Sequence, residues 1–422
     1  MNKMNKKNNL VSKNKKNMLL KRAGKIFEKI DNNSLLILFS GKLKQKTKDI
    51  SYPFFVNRNF FYLSNFSQEN SFIVFLKNDN KLEKYIFVEK NNKKLEKWIG
   101  KKLEISEISF LSGINKKNVL TNNFFDKKIK YFLNSKKIKN IYFDFSDDEE
   151  IIKKIKEKVN LDIYKILDCS SIFFRSRMKK DIYEIRNITN AIKITNLGFK
   201  KIFESLKYAK KEFEIFNAFN HEILNNGTHE IAFDSIIASG INTCCLHYPT
   251  PYSSISKNDL ILCDVGAAFN HYASDITRTF PINGKFSKKQ KEIYEIVLNC
   301  NKKIISLIKP GVTLKYLQQE AKKNLIQQCL EKKIIKKSNE IKKYYFHNVS
   351  HHLGLEVHDC SFKKDPLKQG MIITVEPGLY IKEKKIGIRI EDDVLVTKNG
   401  SKCLSSMIPK EIKDIEKILK NS

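Results

Sequence analysis

The 422-residue sequence lacks several features that would assign a protein to a class at once. It contains no CxxC pair, and two of its eight cysteines, Cys244 and Cys245, are adjacent and so poorly placed to bridge each other. We therefore expect reduced, mostly buried thiols in a cytoplasmic protein. No apolar run approaches the roughly 18 residues that a membrane-spanning helix requires. The N-terminus also lacks the apolar segment of a secretory signal.

Acidic residues are the scarcer charge, because 46 Asp and Glu stand against 79 Lys and Arg, for a formal net charge of +33. The lysines are spread along the whole chain, whereas nucleic-acid-binding proteins gather basic charge on one face. We expect weak, salt-sensitive association with polyanions and no specific nucleic-acid partner. A hydrophobic content of 41% is typical of a globular protein, here long enough for two domains.

The first 30 residues are rich in Lys and Asn, and no acidic residue precedes Glu28. We predict that residues 1–30 form a basic arm without fixed structure. An organellar transit peptide is the alternative, but Lys and Asn stand where transit peptides carry Arg and Ser.

Residues 31–170 show short apolar runs separated by polar turns. The runs predict strands at 35–39, 72–75, 85–88 and 141–143, and helices at 93–99 and 147–159. Such alternation predicts an α/β domain. A dense aromatic cluster at residues 52–62 is interpreted as a loop packed on the core. Because this half contains no His, it offers no evident catalytic group.

The second half follows a connecting segment at 165–180. Apolar residues at helical spacing predict helices at 181–205, 211–224, 287–308 and 314–328, the first of them capped by Asp181. All eight histidines lie at or beyond His221, so we place the chemistry in this half.

The stretch LILCDVGAAFNHYASDITRTF at residues 260–280 organises this half. A short apolar strand ends in Asp264, and Asp275 lies where a returning strand would begin, so a hairpin could bring both carboxylates together. Two carboxylates forced close repel each other and raise one pKa unless a cation lies between them. From this stretch alone, turn-forming and solvated aspartates remain the alternative.

Three later segments favour the metal site. Residues 347–359 contain four histidines, residues 374–378 carry Glu376 at the end of an apolar strand, and residues 387–393 place Arg389 and Glu391 on one strand face. Four carboxylates with one imidazole suit two divalent cations such as Mn²⁺, Co²⁺, Fe²⁺ or Zn²⁺. Such a pair bridges a water and makes it a hydroxide nucleophile near neutral pH.

The segments DITRTFPINGKF, SHHLGLEVHD, TVEPGLYI and GIRIEDD resemble the metallopeptidases of the pita-bread fold, and among them the aminopeptidase P family. SYPFFVNRNFFYLSNF and EKWIG resemble the non-catalytic N-terminal domain of that family. The resemblance covers nearly the whole chain. It implies an α/β N-terminal domain at residues 31–170 and an α+β, creatinase- and methionine aminopeptidase-like catalytic domain at residues 178–422.

The resemblance also implies roles for individual residues. The implied ligands of two divalent ions, with Mn²⁺ preferred, are Asp264, Asp275, His351, Glu376 and Glu391. Asp275 and Glu391 would bridge both ions, and Glu376 would accept the proton of the bridging water. The implied residues around the substrate are His247 for binding, His358 near the leaving nitrogen and the oxyanion, His347 close by, and Arg389, which would hold ligand carboxylates in place.

The remaining histidines have no such support. His352 is interpreted as structural, and His221, His229 and His271 as solvated or packed. Three positions depart from the family pattern: Asn348 and His271 stand where Gly is usual, and Pro251 replaces a polar residue. None of the three is an implied ligand, but the two prolines near His247 leave the shape of the substrate pocket open.

The resemblance implies a metal-dependent aminopeptidase that acts on peptides with Pro in the second position. The bond before Pro lacks an N–H and restricts the preceding residue, so general peptidases handle it poorly. One alternative is an Xaa-Pro dipeptidase with the same ligands, and a less favoured one is a catalytically dead peptide-binding module. We expect peptides as partners, no membrane association, and a homodimer or homotetramer formed through the N-terminal domain.

Overall fold

The computed structural model describes residues 16–146, 149–228, 230–362 and 364–421. Its internal contacts divide the chain into two compact units, Met1–Arg177 and Met178–Ser422. Among the described residues, no helix combines the length and the apolarity needed to cross a membrane.

The first unit is built on a six-stranded mixed sheet of order β4-β3-β2-β1-β5-β6. The strands are β1 Ser34–Phe39, β2 Phe72–Asn78, β3 Lys81–Val88, β4 Val119–Thr121, β5 Asn140–Phe143 and β6 Lys165–Asp168. All six residues of β1 are buried, as expected of a central strand that is covered on both faces. Asp79 and Asn80 join β2 to β3 with φ of +47° and +59°, a two-residue turn that suits the strand twist. The predicted strands are confirmed.

Helices cover this sheet. They are α1 at residues 16–27, α2 Arg58–Ser64, α3 Lys93–Ile99, α4 Ile105–Ser112, α5 Phe125–Ser135, α6 Glu149–Val159 and α7 Ser170–Met178. Ile129 and Phe132 of α5 and Ile152 and Ile155 of α6 pack into the core of the sheet. The prediction for α3 is confirmed, and that for α6 is confirmed from Glu149 on, residues 147–148 lying outside the described part of the chain.

The predicted unstructured arm is wrong for residues 16–27, which form α1. Leu19, Ala23 and Ile26 recur at helical spacing and are at most 3% exposed, and the buried Arg22 donates to the carbonyl oxygen of Tyr62 at 3.1 Å. The high Lys and Asn content hid this apolar face. Residues 1–15 lie outside the described chain.

Two further expectations for the first unit need correction. The aromatic cluster is not all loop, because Phe60, Phe61 and Tyr62 are buried in α2, whose first turn is capped by the side chain of Asn57. The segment predicted as a mere connection holds β6 and α7. Helices α2 and α7 have only 7 and 9 residues, which is too short for a clear periodic signal.

The second unit combines helices with small antiparallel sheets, as the α+β expectation requires. The helices are α8 Ile182–Ser205, α9 Glu212–Asn225, α10 Lys288–Leu307, α11 Leu314–Glu331 and α12 Ile412–Asn421. The strands are β7 Glu230–Ile231, β8 Ile236–Ser239, β9 Leu260–Val265, β10 Ala267–Phe269, β11 Tyr272–Ala273, β12 Ile276–Pro281, β13 Ile372–Val375, β14 Gly378–Ile381, β15 Ile386–Arg389, β16 Asp392–Val396 and β17 Ser401–Cys403. The four predicted helices are confirmed, and Asp181 caps α8 by accepting from the amides of Tyr183 and Glu184.

The predicted hairpin around the two aspartates is confirmed, with an insertion. Strands β9 and β12 pair antiparallel with Asp264 opposite Thr277, and β10 and β11 form a smaller hairpin between them. Its turn residues, Asn270 and His271, have φ of +50° and +65°, the left-handed geometry that favours Gly. His271 therefore occupies a strained position, where Nδ1 lies 2.9 Å from Glu230.

Candidate metal centre

The predicted site residues converge on one cavity of about 830 Å³ in the second unit. The implied ligands and the residues implied to act around them all line it: Asp264, Asp275, His351, Glu376, Glu391, His247, His347, His358 and Arg389. Their positions span nearly 150 residues of sequence, so only the pairing of strands brings them together.

Two neighbouring strands deliver the aspartates. The four apolar residues of β9 before Asp264 are at most 1% exposed, which fixes the strand in the core and aims its last residues at the cavity. Asp275 immediately precedes β12, the antiparallel partner of β9. Asp264 and Asp275 are themselves 8% and 5% exposed. Two largely desolvated carboxylates thus lie side by side.

The glutamates and the imidazole come from the other side of the cavity. Glu376 follows β13, and Glu391 lies between β15 and β16. The segment carrying His351 runs along β13, since the amide of Thr374 donates to the His351 carbonyl oxygen at 2.9 Å and the amide of His351 donates to Thr374 Oγ1 at 3.1 Å. His351 is thereby fixed beside the end of β13.

The ligand atoms are close enough to share cations. Those of Asp275, His351 and Glu391 all lie within 4.8 Å of one another. His351 Nε2 is 3.3 Å from Asp275 Oδ2 and 3.5 Å from Glu376 Oε1. The structure therefore brings four of the five implied ligands into direct proximity, with Asp264 on the adjoining strand.

The electrostatics of this group fit divalent cations. Burial, and then the charges of neighbouring carboxylates, raise the pKa values of Asp275 and Glu391 well above their ordinary range. Burial works to raise the pKa of Glu376 as well, but His347 and His351 lower it in net. Asp264 Oδ1 is buried and has no hydrogen-bond partner among the described residues. An orphaned oxygen amid mutually repelling carboxylates suits a metal site.

Arg389 connects this cluster to three neighbours. Its Nη2 donates to Asp264 Oδ2 at 2.7 Å, its Nη1 to the hydroxyl of Tyr380 at 2.9 Å and its Nε to Thr277 Oγ1 at 3.1 Å. Thr277 Oγ1 in turn donates to Glu391 Oε2 at 2.6 Å. Arg389 thus contacts Asp264 directly and is linked to Glu391 through Thr277.

Tyr380 and Thr277 were missed by the sequence reasoning. The Tyr380 hydroxyl lies 2.9 Å from His347 Nε2 and so joins Arg389 to that histidine. The alternation of Thr277 and Thr279 along β12 was the available signal for Thr277, since it puts both hydroxyls on one face of the strand. Tyr380 had no comparable signal.

His358 stands beside the cluster, with its ring centroid 4.3 Å from that of His351. Desolvation, and then the charge of His351, lower its pKa. Its segment is tied down by a buried ion pair between Lys180 Nζ and Asp359 Oδ2 at 3.0 Å. A Cβ at Gly354 would come within 2.0 Å of that Asp359 oxygen, so the close approach requires Gly.

Three of the histidines without an implied role lie in the described residues, namely His221, His271 and His352. His352 is buried, and desolvation, and then the charge of Lys180, lower its pKa to about 3, which keeps its ring neutral. His221 lies on the exposed face of α9 beside Asn225, and His271 lies in the β10–β11 turn. His229 is outside the described residues.

Residues 186–398 match the family model of the M24 metallopeptidases. The chain belongs to metallopeptidase family M24. In this M24 peptidase, residues 19–142 also match the N-terminal domain of aminopeptidase P. The matched range includes most of α1. The predicted fold class, an α/β N-terminal domain followed by a pita-bread catalytic domain, is confirmed.

Known relatives match this M24 peptidase over nearly its whole length. It is 33% identical to an Xaa-Pro aminopeptidase of Haemophilus influenzae, over 94% of this chain and 96% of that protein. It superimposes on aminopeptidase P of Escherichia coli, bound to the inhibitor Pro-Leu, with a TM-score of 0.89 at 26% identity, covering 96% and 98% of the two chains. An Xaa-Pro dipeptidase of Pyrococcus horikoshii is 35% identical over 72% of this chain and 83% of that protein.

Proposed function

We propose that this M24 peptidase releases the N-terminal residue from peptides that carry Pro in the second position. The observation that carries the proposal is the end-to-end match to Xaa-Pro aminopeptidases, which includes the N-terminal domain as well as the catalytic one. The cavity with its convergent carboxylates and imidazoles supplies a site for the chemistry.

In the proposed site, two divalent cations are held by Asp264, Asp275, His351, Glu376 and Glu391, with Mn²⁺ the first choice. The proposal is supported by the closeness of the ligand atoms and by the raised pKa values of Asp275 and Glu391. Cations bound there lower the pKa of water and so supply a hydroxide nucleophile near neutral pH.

The protein's own groups prepare this reaction. Glu376, whose pKa stays low between His347 and His351, is the proposed acceptor of the proton from the attacking water. Neutral His358 faces the same cavity and donates an N–H towards the developing oxyanion or the leaving nitrogen. His247, which also lines the cavity, binds the substrate, and Arg389 keeps Asp264 in place.

An Xaa-Pro dipeptidase is the second candidate, because a dipeptidase is also among the relatives. The two differ in the length of peptide that they accept. The first experiment is therefore hydrolysis of Arg-Pro-Pro and of Ala-Pro by metal-free protein, with and without added Mn²⁺. Metal-dependent cleavage of the tripeptide is the expected result. Cleavage of the dipeptide alone would make the enzyme a prolidase, and no turnover with two metals bound would support a binding module.

Location and assembly belong to the same proposal. The sequence has eight cysteines and no CxxC pair, which suits a reducing compartment, and we propose the cytoplasm. We also propose a homodimer or homotetramer formed through the N-terminal domain, which light scattering of the purified protein would test.

A further inference from the structure

Glu212, the first residue of α9, is a fully buried acid that the mechanism does not use. Glu212 does not line the cavity. Its carboxylate accepts four hydrogen bonds from other parts of the chain. Its Oε1 accepts from the amide of Ser239 at 2.7 Å, from Ser239 Oγ at 2.7 Å and from Asn242 Nδ2 at 3.1 Å. Its Oε2 accepts from the amide of Ser253 at 3.2 Å. One carboxylate thus takes donors from both ends of the segment 239–253.

The backbone beside Glu212 closes the same segment. The amide of Glu212 donates to the carbonyl oxygen of Ser253 at 3.1 Å, and Lys211 forms an isolated antiparallel bridge with Ser254. Ser239 ends β8, and beyond it the regular part of the segment is a short 3₁₀ turn, Gly240–Cys244, while Pro249 and Pro251 provide no N–H. Beyond Ser239, the segment therefore takes from Glu212 acceptors that a sheet or helix would otherwise supply.

The segment carries part of the substrate cavity. Leu246, His247, Tyr248 and Pro249 all line it. The link from Glu212 reaches this wall through Asn242, whose Nδ2 also lies 3.1 Å from the Tyr248 hydroxyl and 3.0 Å from Ser253 Oγ. The Tyr248 hydroxyl also lies 3.1 Å from Ser253 Oγ. A chain of hydrogen bonds therefore runs from the buried carboxylate to the residue next to His247.

We propose that Glu212 is a positioning residue for substrate binding, which sets the place of His247 and Tyr248 in the cavity wall. The inference rests on the proposed function in taking His247 as a residue that contacts the peptide. Glu212 is tied to this wall through Asn242, whereas it reaches the ligand cluster only indirectly, through Ser239 of β8 and the pairing of β8 with β9, which carries Asp264. Displacing one wall of a site weakens substrate binding without removing the metal.

The test is Glu212→Gln, which keeps the shape of the side chain but turns an amide NH₂ towards groups that are themselves donors. We expect unchanged metal content, a KM for Arg-Pro-Pro raised about tenfold with a smaller change in kcat, and faster hydrogen exchange in residues 239–253. Glu184→Gln is the matched control, because Glu184 is also a buried acid on the first turn of a helix and contacts Tyr272 and the amide of Asp181. It is expected to leave KM and exchange in 239–253 unchanged.

A double-mutant cycle with His247→Ala separates positioning from general damage. If Glu212 acts through His247, Glu212→Gln has little further effect on KM in the His247→Ala background. Additive effects, an unchanged KM, or loss of metal would each overturn the inference. Should Glu212→Gln fail to fold, Asn242→Ala replaces it, since Glu212 then keeps three of its four donors. No turnover by the wild-type enzyme would refute the proposed function instead, and the exchange measurement would still show whether Glu212 orders the segment.

Discussion

Glu391 and Asp392 are neighbours on the chain and both are fully buried, yet their surroundings are opposite. Asp392 is neutralised by the protein itself, with Arg278 Nη2 at 2.8 Å and Lys410 Nζ at 2.6 Å. Burial works to raise the pKa of Asp392, but these two cations lower it well below its usual range. Burial raises the pKa of Glu391, and the negative charges of Asp275, Glu376 and Asp264 raise it further.

The difference separates a structural acid from a binding site. Successive residues of an extended chain point to opposite sides, so Glu391 faces the cavity while Asp392 faces Arg278 in the core. On the core side, the charges are balanced within the protein. On the cavity side, Arg389 contacts Asp264, but the four carboxylates among the implied ligands outnumber this one guanidinium, which suits cations from outside the chain.

The largest effect should come from removing a charge on the cavity side. Asp275→Asn is expected to abolish tight metal binding and to lower kcat/KM by on the order of 10³-fold, since several kcal/mol of transition-state stabilisation depend on the metals. The metal-free variant should nevertheless be more stable than metal-free wild type, because one repelling carboxylate is gone. Metal analysis and thermal unfolding of both apoproteins check this. A less stable apo variant would contradict the unbalanced-charge account.

Removing the charge on the core side should do the reverse. Asp392→Asn leaves Arg278 buried without its partner and is expected to destabilise the protein by about 3 kcal/mol while it retains the metal. The folded pKa of Asp392 is lowered, so its stabilisation is complete above the unfolded value of about 3.9 and is lost as the pH falls below it. Urea unfolding of both proteins as a function of pH measures this. A stability difference that grew on acidification would be contrary to the assignment.

A site residue that is not a ligand should show a third behaviour. His358→Ala is expected to keep both metals and its stability but to lose about 10²-fold in kcat, because the imidazole acts on the transition state and not on the cation. Single-turnover kinetics with metal analysis separate the two effects. His221→Ala, on the exposed face of α9, is the matched control and should match wild type. Loss of metal in His358→Ala would move His358 into the ligand set.

The smallest predicted effect concerns Thr277, a residue that orients an implied ligand on the cavity side. Thr277→Val removes the hydroxyl that donates to Glu391, and we expect a loss of about tenfold in metal affinity, as for other residues that orient ligands. Thr279→Val is the matched control two residues along the same strand, because its hydroxyl contacts only backbone groups of Arg389 in the described structure. Competition with a chelator measures both affinities. Equal losses in the two variants would show that Thr277 has no particular role.

Prediction from the sequence succeeded where the signal was local and long. Helices α8 and α10 span 24 and 20 residues with capping residues at Asp181 and Ser287, and both were predicted to within a residue or two. Helices α1 and α2 were missed, because the first lies among lysines and asparagines and the second has 7 residues. Strand alternation placed Arg389 and Glu391 on one face, and both line the cavity.

The sequence by itself therefore determined the fold class and the order of the implied ligands, because periodicity and motif spacing are properties of short stretches. Only the tertiary structure decided which buried acids are balanced and which are not. Arg278 and Asp392 are 114 residues apart, Asp264 and Arg389 are 125 apart, and Glu212 reaches Ser253 across 41 residues. Such partners are fixed by strand pairing and packing, and no local pattern encodes them.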